Sequence, residues 1–203
     1  MLWRSSVFSK KRPHPQSVAG FSLVELMISI GIMVLVISVV TTSQGAFNGA
    51  VLLRGQAYEA ALKIREVQLS AVGSVTGGAT VRTVYGVHFD SSTATDNQYK
   101  IFKDANSNGF YNSGEEYGQQ GFLDSRFEIR AIRAIGDSIP ANSGLSVVFV
   151  RPNFDARFFS SSGEVFASSV EIDVADRDAT GAGPGDVRTV EVTSAGQISV
   201  QSI

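Results

Sequence analysis

The sequence predicts an α+β fold: a long N-terminal helix, transmembrane in its first half, packed on an antiparallel β domain. Three observations predict it. Residues 20–40, GFSLVELMISIGIMVLVISVV, form an apolar run that carries a single charge, Glu25. Ala60, Ile64, Val67 and Ala71 then recur at i, i+4, i+7 and i+11, which is one face of a helix. From residue 80 onward the period falls to two, in segments rich in Val, Ile, Phe and Thr and separated by Gly, Asn, Asp and Ser.

In chain order, residues 1–20 are basic through Arg4, Lys10, Lys11 and Arg12, and Pro13 and Pro15 break any continuous helix. They have the character of the charged region of a targeting segment. A secretory signal places its small-residue cleavage site after the apolar stretch. Here Ser17, Ala19 and Gly20 come before it, so cleavage at Gly20 would leave the apolar segment on the mature chain. That segment, residues 21–43, reaches the length of about 20 residues that a bilayer requires. The positive tract before it predicts a cytoplasmic N-terminus and an exported C-terminal domain. Residues 44–72 continue the helix, with Leu62 and Leu69 widening the apolar stripe and Arg54, Glu59, Lys63 and Glu66 polar. Gly45, Gly49 and Gly55 weaken the join by about 1 kcal/mol each relative to Ala. The GSVTGG stretch at 73–78 ends the helix, and residues 73–203 form the β-rich domain. Its strands are expected at 80–89, 98–103, 126–135, 145–150, 169–175, 188–193 and 197–203. Ser194, Ala195 and Gly196 supply a short hairpin connection between the last two.

Composition excludes several function classes. The 203 residues include 17 Lys+Arg against 19 Asp+Glu, a net charge of −2 with no polyanion-binding signal, so no nucleic-acid partner is expected. There is no cysteine, hence no disulfide and no thiolate metal site. The two histidines are His14, in the basic tract, and His88, which alternates with Val87 and Phe89 and reads as a structural strand residue. No Ser-His-Asp order, HExxH or P-loop spacing occurs, so the chain is not read as an enzyme, a membrane-tethered hydrolase included. The GAGPGD stretch at 181–186 has glycine spacing but a proline inside it and no helix after it, and reads as a loop. RFF at 157–159 and EVF at 164–166 read as core.

DANSNGFYNSGE, residues 104–115, fits D-x-[DN]-x-[DN]-G-x5-E, the spacing of an oxygen-ligand calcium loop. Asp104, Asn106 and Asn108 would offer side-chain oxygens at positions one, three and five, and Gly109 the sharp turn. Phe110 would offer its carbonyl, Asn112 a direct or water-bridged oxygen, and Glu115 two oxygens. The flanking helices of an EF-hand are missing, and the same residue types also make a polar hairpin tip. Both readings stand at this point: calcium is a possible ligand.

Gly20-Phe21-Ser22-Leu23-Val24-Glu25-Leu26, after a basic leader and opening an apolar helix, resembles the prepilin cleavage and methylation motif of type IV pilins and type II secretion pseudopilins. The resemblance implies that a membrane-embedded prepilin peptidase cuts after Gly20 and N-methylates Phe21, leaving 203 − 20 = 183 residues. It also implies an assembly role for Glu25, paired in a filament with the Phe21 amine of a neighbouring subunit. SGLSVVFVRPNFDARFFSSSGE and the closing VEVTSAGQISV resemble the minor pseudopilins of the GspH/FimT type. The expected function is therefore that of a minor pseudopilin, a structural subunit of a type II secretion pseudopilus held in the bacterial inner membrane, with other pilins or pseudopilins as partners. A minor pilin of a type IV pilus is the alternative within the family. A signal-anchored periplasmic binding domain that never polymerises is the alternative outside it.

Overall fold

The computed structural model describes residues 20–73, 84–92, 94–140, 143–150, 154–178 and 186–202, with the backbone alone for residues 42–47. The basic tract at 1–19, most of the GSVTGG stretch and most of the GAGPGD loop lie outside the described residues. The chain divides into two compact units, Met1–Gln44 and Gly45–Ile203.

The first unit contains the opening turns of the one helix among the described residues, α1 (Leu23–Gly73). The sequence places its start at Phe21; the structure begins it two residues later, with Leu26 N–H donating to the Ser22 carbonyl at 3.1 Å. Every side chain from Gly20 to Thr41 is exposed. Within this stretch Leu23–Thr41, 19 residues, is long and apolar enough to cross a membrane. Its hydroxyls are satisfied locally: Ser29 donates to the Glu25 carbonyl and Thr41 to the Ile37 carbonyl, each at 2.8 Å. A hydroxyl bonded inside its own helix can enter hydrocarbon at far lower cost than a free one. Gly45, Gly49 and Gly55 do not interrupt the helix.

The second unit is an antiparallel β domain whose core includes the later turns of α1. Leu53, Ala57, Ala60, Ile64, Val67 and Ala71 are buried, which extends the expected stripe by two turns toward the N-terminus. Leu62 and Leu69 do not widen it; they are 67% and 58% exposed. At 100° per residue each lies two positions, or about 200°, from the apolar stripe residue on either side of it, and therefore on the opposite face.

Among the described residues, ten strands make two sheets. The first has the order β3-β2-β1-β5-β6-β7, built from Gly121–Phe122, Gln98–Asp104, Val84–Phe89, Leu145–Phe149, Ala156–Ser160 and Gly163–Val165. The second has the order β10-β9-β8-β4, built from Ile198–Ser202, Val187–Thr193, Ser169–Asp176 and Phe127–Ile135. The seven segments expected from alternation are all strands, although residues 80–83 and Ile203 lie outside the described residues. Three more strands appear. RFF falls in β6 and EVF reaches β7: Phe158 and Val165 enter the core as expected, but Phe166 is 78% exposed. β3 is two residues long, too short to carry a period.

The core lies on one face of each sheet, lined by Tyr85, Val87 and Phe89 of β1, Ile101 of β2, Leu145, Val147 and Phe149 of β5, and Val170, Ile172 and Val174 of β8. Gln68 joins the helix to the closing hairpin. Its buried amide donates to the Phe154 carbonyl at 3.0 Å and the Gly196 carbonyl at 2.8 Å. Gly196 has φ +80°, and a Cβ there would stand 1.9 Å from the Phe154 carbonyl oxygen. Gly196→Ala is expected to destabilise the domain by about 1–3 kcal/mol through strain and overpacking, read as a lower urea midpoint at unchanged slope.

Candidate functional site

Two places collect the residues singled out from sequence, one in each unit.

At the N-terminal end, Gly20 and Phe21 precede the helix in exposed, non-helical chain, and nothing stands within 4 Å of where a Gly20 side chain would begin. Glu25 is in the first turn of α1. There the unbonded N–H groups give the helix end partial positive charge, which favours a carboxylate by about 0.3–1 kcal/mol. Glu25 is also exposed, at the head of the 19-residue apolar stretch. Three residues of accessible backbone before a helix start suit a peptidase, because a scissile bond must be extended to enter a cleft. The arrangement thus offers an accessible junction and a charge held at the top of an apolar surface.

The second place is the outer face of the six-stranded sheet. Alternation along the strands sends Val87, Ile101 and Val147 to the core and Gly86, His88, Phe102, Asp104, Ser146 and Val148 to the other side. Gly86 pairs with Phe102, and the Phe102 ring occupies the space a Gly86 side chain would need, with a Cβ–ring distance of 2.6 Å. Residues 105–117 fold back over this face, closed by a bridge between Phe102 and Glu116 and by Lys103 N–H donating to the Glu115 carbonyl at 2.9 Å. Phe110 and Tyr111 flank His88, with ring centroids 5.0 and 5.2 Å away. Tyr111 also meets Phe102 at 5.8 Å. Ser146 is the polar pin beneath: its hydroxyl accepts the Tyr111 N–H at 3.1 Å and is hydrogen-bonded to His88 Nδ1 at 3.0 Å. Burial pulls the His88 pKa down to about 4, with nearby Asp90 opposing the shift. His88 is therefore a neutral, buried, structural histidine, as its strand alternation suggests. Desolvation, and next the Glu116 carboxylate bonded to its hydroxyl, push the Tyr111 phenol up to about 12.

Five of the six residues expected from the calcium spacing are in this fold-back, and Asp104 stands at its start. Asp104 closes β2 and is buried; one carboxylate oxygen accepts Asn108 N–H at 3.2 Å and the other Gly109 N–H at 2.8 Å. Asn106 Oδ1 accepts Asn108 N–H at 3.0 Å and Asn108 Oδ1 accepts Phe110 N–H at 2.8 Å. Both asparagines donate to Asn112 Oδ1, at 2.9 and 2.8 Å. Glu115 returns to the start of the loop, accepting Ala105 N–H at 3.1 Å and Asn112 N–H at 2.9 Å. Gly109 has φ +77° and lies against the Phe159 ring, so this position takes no side chain. The sequence marks the loop; it gives no sign that the loop packs on His88 and Phe159, which are distant in the chain.

Compared with protein-family models, with curated proteins and with solved structures, the chain matches none.

Proposed function

We propose that this chain is a membrane-anchored filament subunit of the pilin superfamily, a minor pseudopilin of a type II secretion system. The carrying observation is the join at Gly20–Phe21: exposed, non-helical chain ahead of an exposed apolar helical stretch with a carboxylate in its first turn. An exposed apolar stretch of 19 residues needs a lipid or protein environment, and Glu25 is costly there, at roughly 2.5–3.5 kcal/mol for a mid-bilayer charge. Its position at the helix start keeps it near the headgroups before assembly. Cleavage after Gly20 would create a cationic amine on Phe21. In a water-free filament core, Glu25 of one subunit then pairs with that amine on the next. A subunit slipped along the axis leaves both charges unpaired, so one charge pair fixes axial register. The basic leader faces the cytoplasm and the β domain is exported.

The test is the intact mass of the membrane-bound protein: 183 residues beginning at N-methylated Phe21 are expected. A chain that retains residues 1–20 is instead a signal-anchored domain. Glu25→Val should still be cleaved, because the scissile bond is untouched, but should fail to enter filaments or support secretion. Normal secretion with Glu25→Val would remove the register argument. A minor pilin shares this processing, and is separated by whether the filament carries secretion or forms a surface pilus.

A further inference from the structure

We propose that the loop at 104–115 is a calcium site in the β domain, independent of whether the chain polymerises. The first argument is position. Oxygen-bearing side chains fall at one, three, five, nine and twelve, with Gly109 at six, as a twelve-residue calcium loop requires. The fold then brings position twelve back onto position one, since Glu115 bonds the backbone beside Asp104.

The second argument is charge, and it does not depend on the motif. The described residues include three buried aspartates, Asp96, Asp104 and Asp173. Asp96 pairs with Arg177 at 2.8 Å, and Asp173 pairs with Arg133. Asp104, 7% exposed, is in none of the ion pairs among the described residues; each of its oxygens takes one backbone N–H. A buried carboxylate needs a cation or loses its charge. This domain supplies an arginine to the other two and, to this one, a loop of oxygens. In that loop Asn106, Asn108 and Asn112 already touch through their amides. The Asn106 and Asn108 side-chain oxygens each accept one backbone N–H and keep a second lone pair for a cation, so they can ligate without moving the backbone.

The chemistry selects calcium. All donors are hard oxygens, with no imidazole or thiolate among the six, and several are neutral. Calcium accepts six to eight such ligands in irregular geometry, whereas magnesium demands a near-ideal octahedron and keeps its water. With two carboxylates in the set, and Glu116 engaged by Tyr111, affinity should fall in the weak extracellular range, Kd roughly 10⁻⁴ M.

The experiment uses the full chain in detergent, with calcium chloride, magnesium chloride or a chelator. At 100-fold calcium over Kd the melting temperature should rise by about 5–10 °C, and by less with magnesium at the same concentration. Glu115→Gln alters a half-buried side chain and Asn106→Ala an exposed one; both should leave the chelated protein folded while weakening calcium binding at least tenfold by calorimetry. Terbium(III) alone serves as a second probe. Tyr111, next to Phe110 in the loop, should sensitise its emission, calcium should quench it by competition, and Tyr111→Phe should abolish it while calcium binding persists. An unchanged melting temperature at about 10 mM calcium overturns the proposal. So does terbium emission unaffected by Glu115→Gln, and the loop is then a self-bonded hairpin tip.

Discussion

Ile64→Ala is expected to lower the unfolding free energy of the β domain by about 2–5 kcal/mol, because Ile64 is fully buried in α1 against the sheets. Leu62→Ala, two residues earlier in the same helix and largely exposed, should change it by less than about 0.5 kcal/mol. Urea unfolding of the chain from Gly45 onward, followed by circular dichroism, measures both. Equal losses at the two positions would mean that the helix is turned differently on the core. The pair is informative because both residues are apolar and sit in one helical stretch; only the facing separates them.

Acid should weaken the domain through His88. Its pKa is about 4 in the fold and about 6.5 when exposed, so between these values the unfolded chain binds a proton that the native state refuses. Stability is therefore full above about pH 6.5 and declines as pH falls toward 4, by up to about 3 kcal/mol at 1.36 kcal/mol per unit. The protonated ring would place a charge between Phe110 and Tyr111, away from water. His88→Gln should flatten this part of the stability–pH curve while lowering stability at pH 7. A native His88 that titrates near 6.5 by nuclear magnetic resonance would contradict the burial argument.

Much of the architecture is legible in the chain because it rests on local periods. The helix stripe through Ala60, Ile64, Val67 and Ala71, and the alternation in β1, β5 and β8, are each written in one stretch of sequence, and the residues that enter the hydrophobic core follow them, although β1 and β5 are buried on their other face as well. Where the period is absent or ambiguous the reading falters. β3 is two residues long, and β6 and β7 are short aromatic pieces that could be any core segment. Leu62 and Leu69 mislead for another reason: composition makes them apolar, but only the angle between successive residues decides which face they take.

The candidate sites divide in the same way. Gly20, Phe21 and Glu25 are a contiguous motif, and the spacing from Asp104 to Glu115 is a contiguous loop, so both are found from sequence alone. The sequence by itself thus determined the apolar span, the exposed junction before it, the two periodicities and the ligand order of the loop, since these depend on neighbours in the chain. Only the tertiary structure decided that Asp104 is buried and, among the described residues, in no ion pair, while Asp96 and Asp173 each hold an arginine. It likewise decided that the loop closes over His88 and Phe159, and that Gln68 reaches across to Gly196. These facts depend on strand pairings between residues tens of positions apart, and no local pattern encodes which distant group will arrive to satisfy a buried charge or carbonyl.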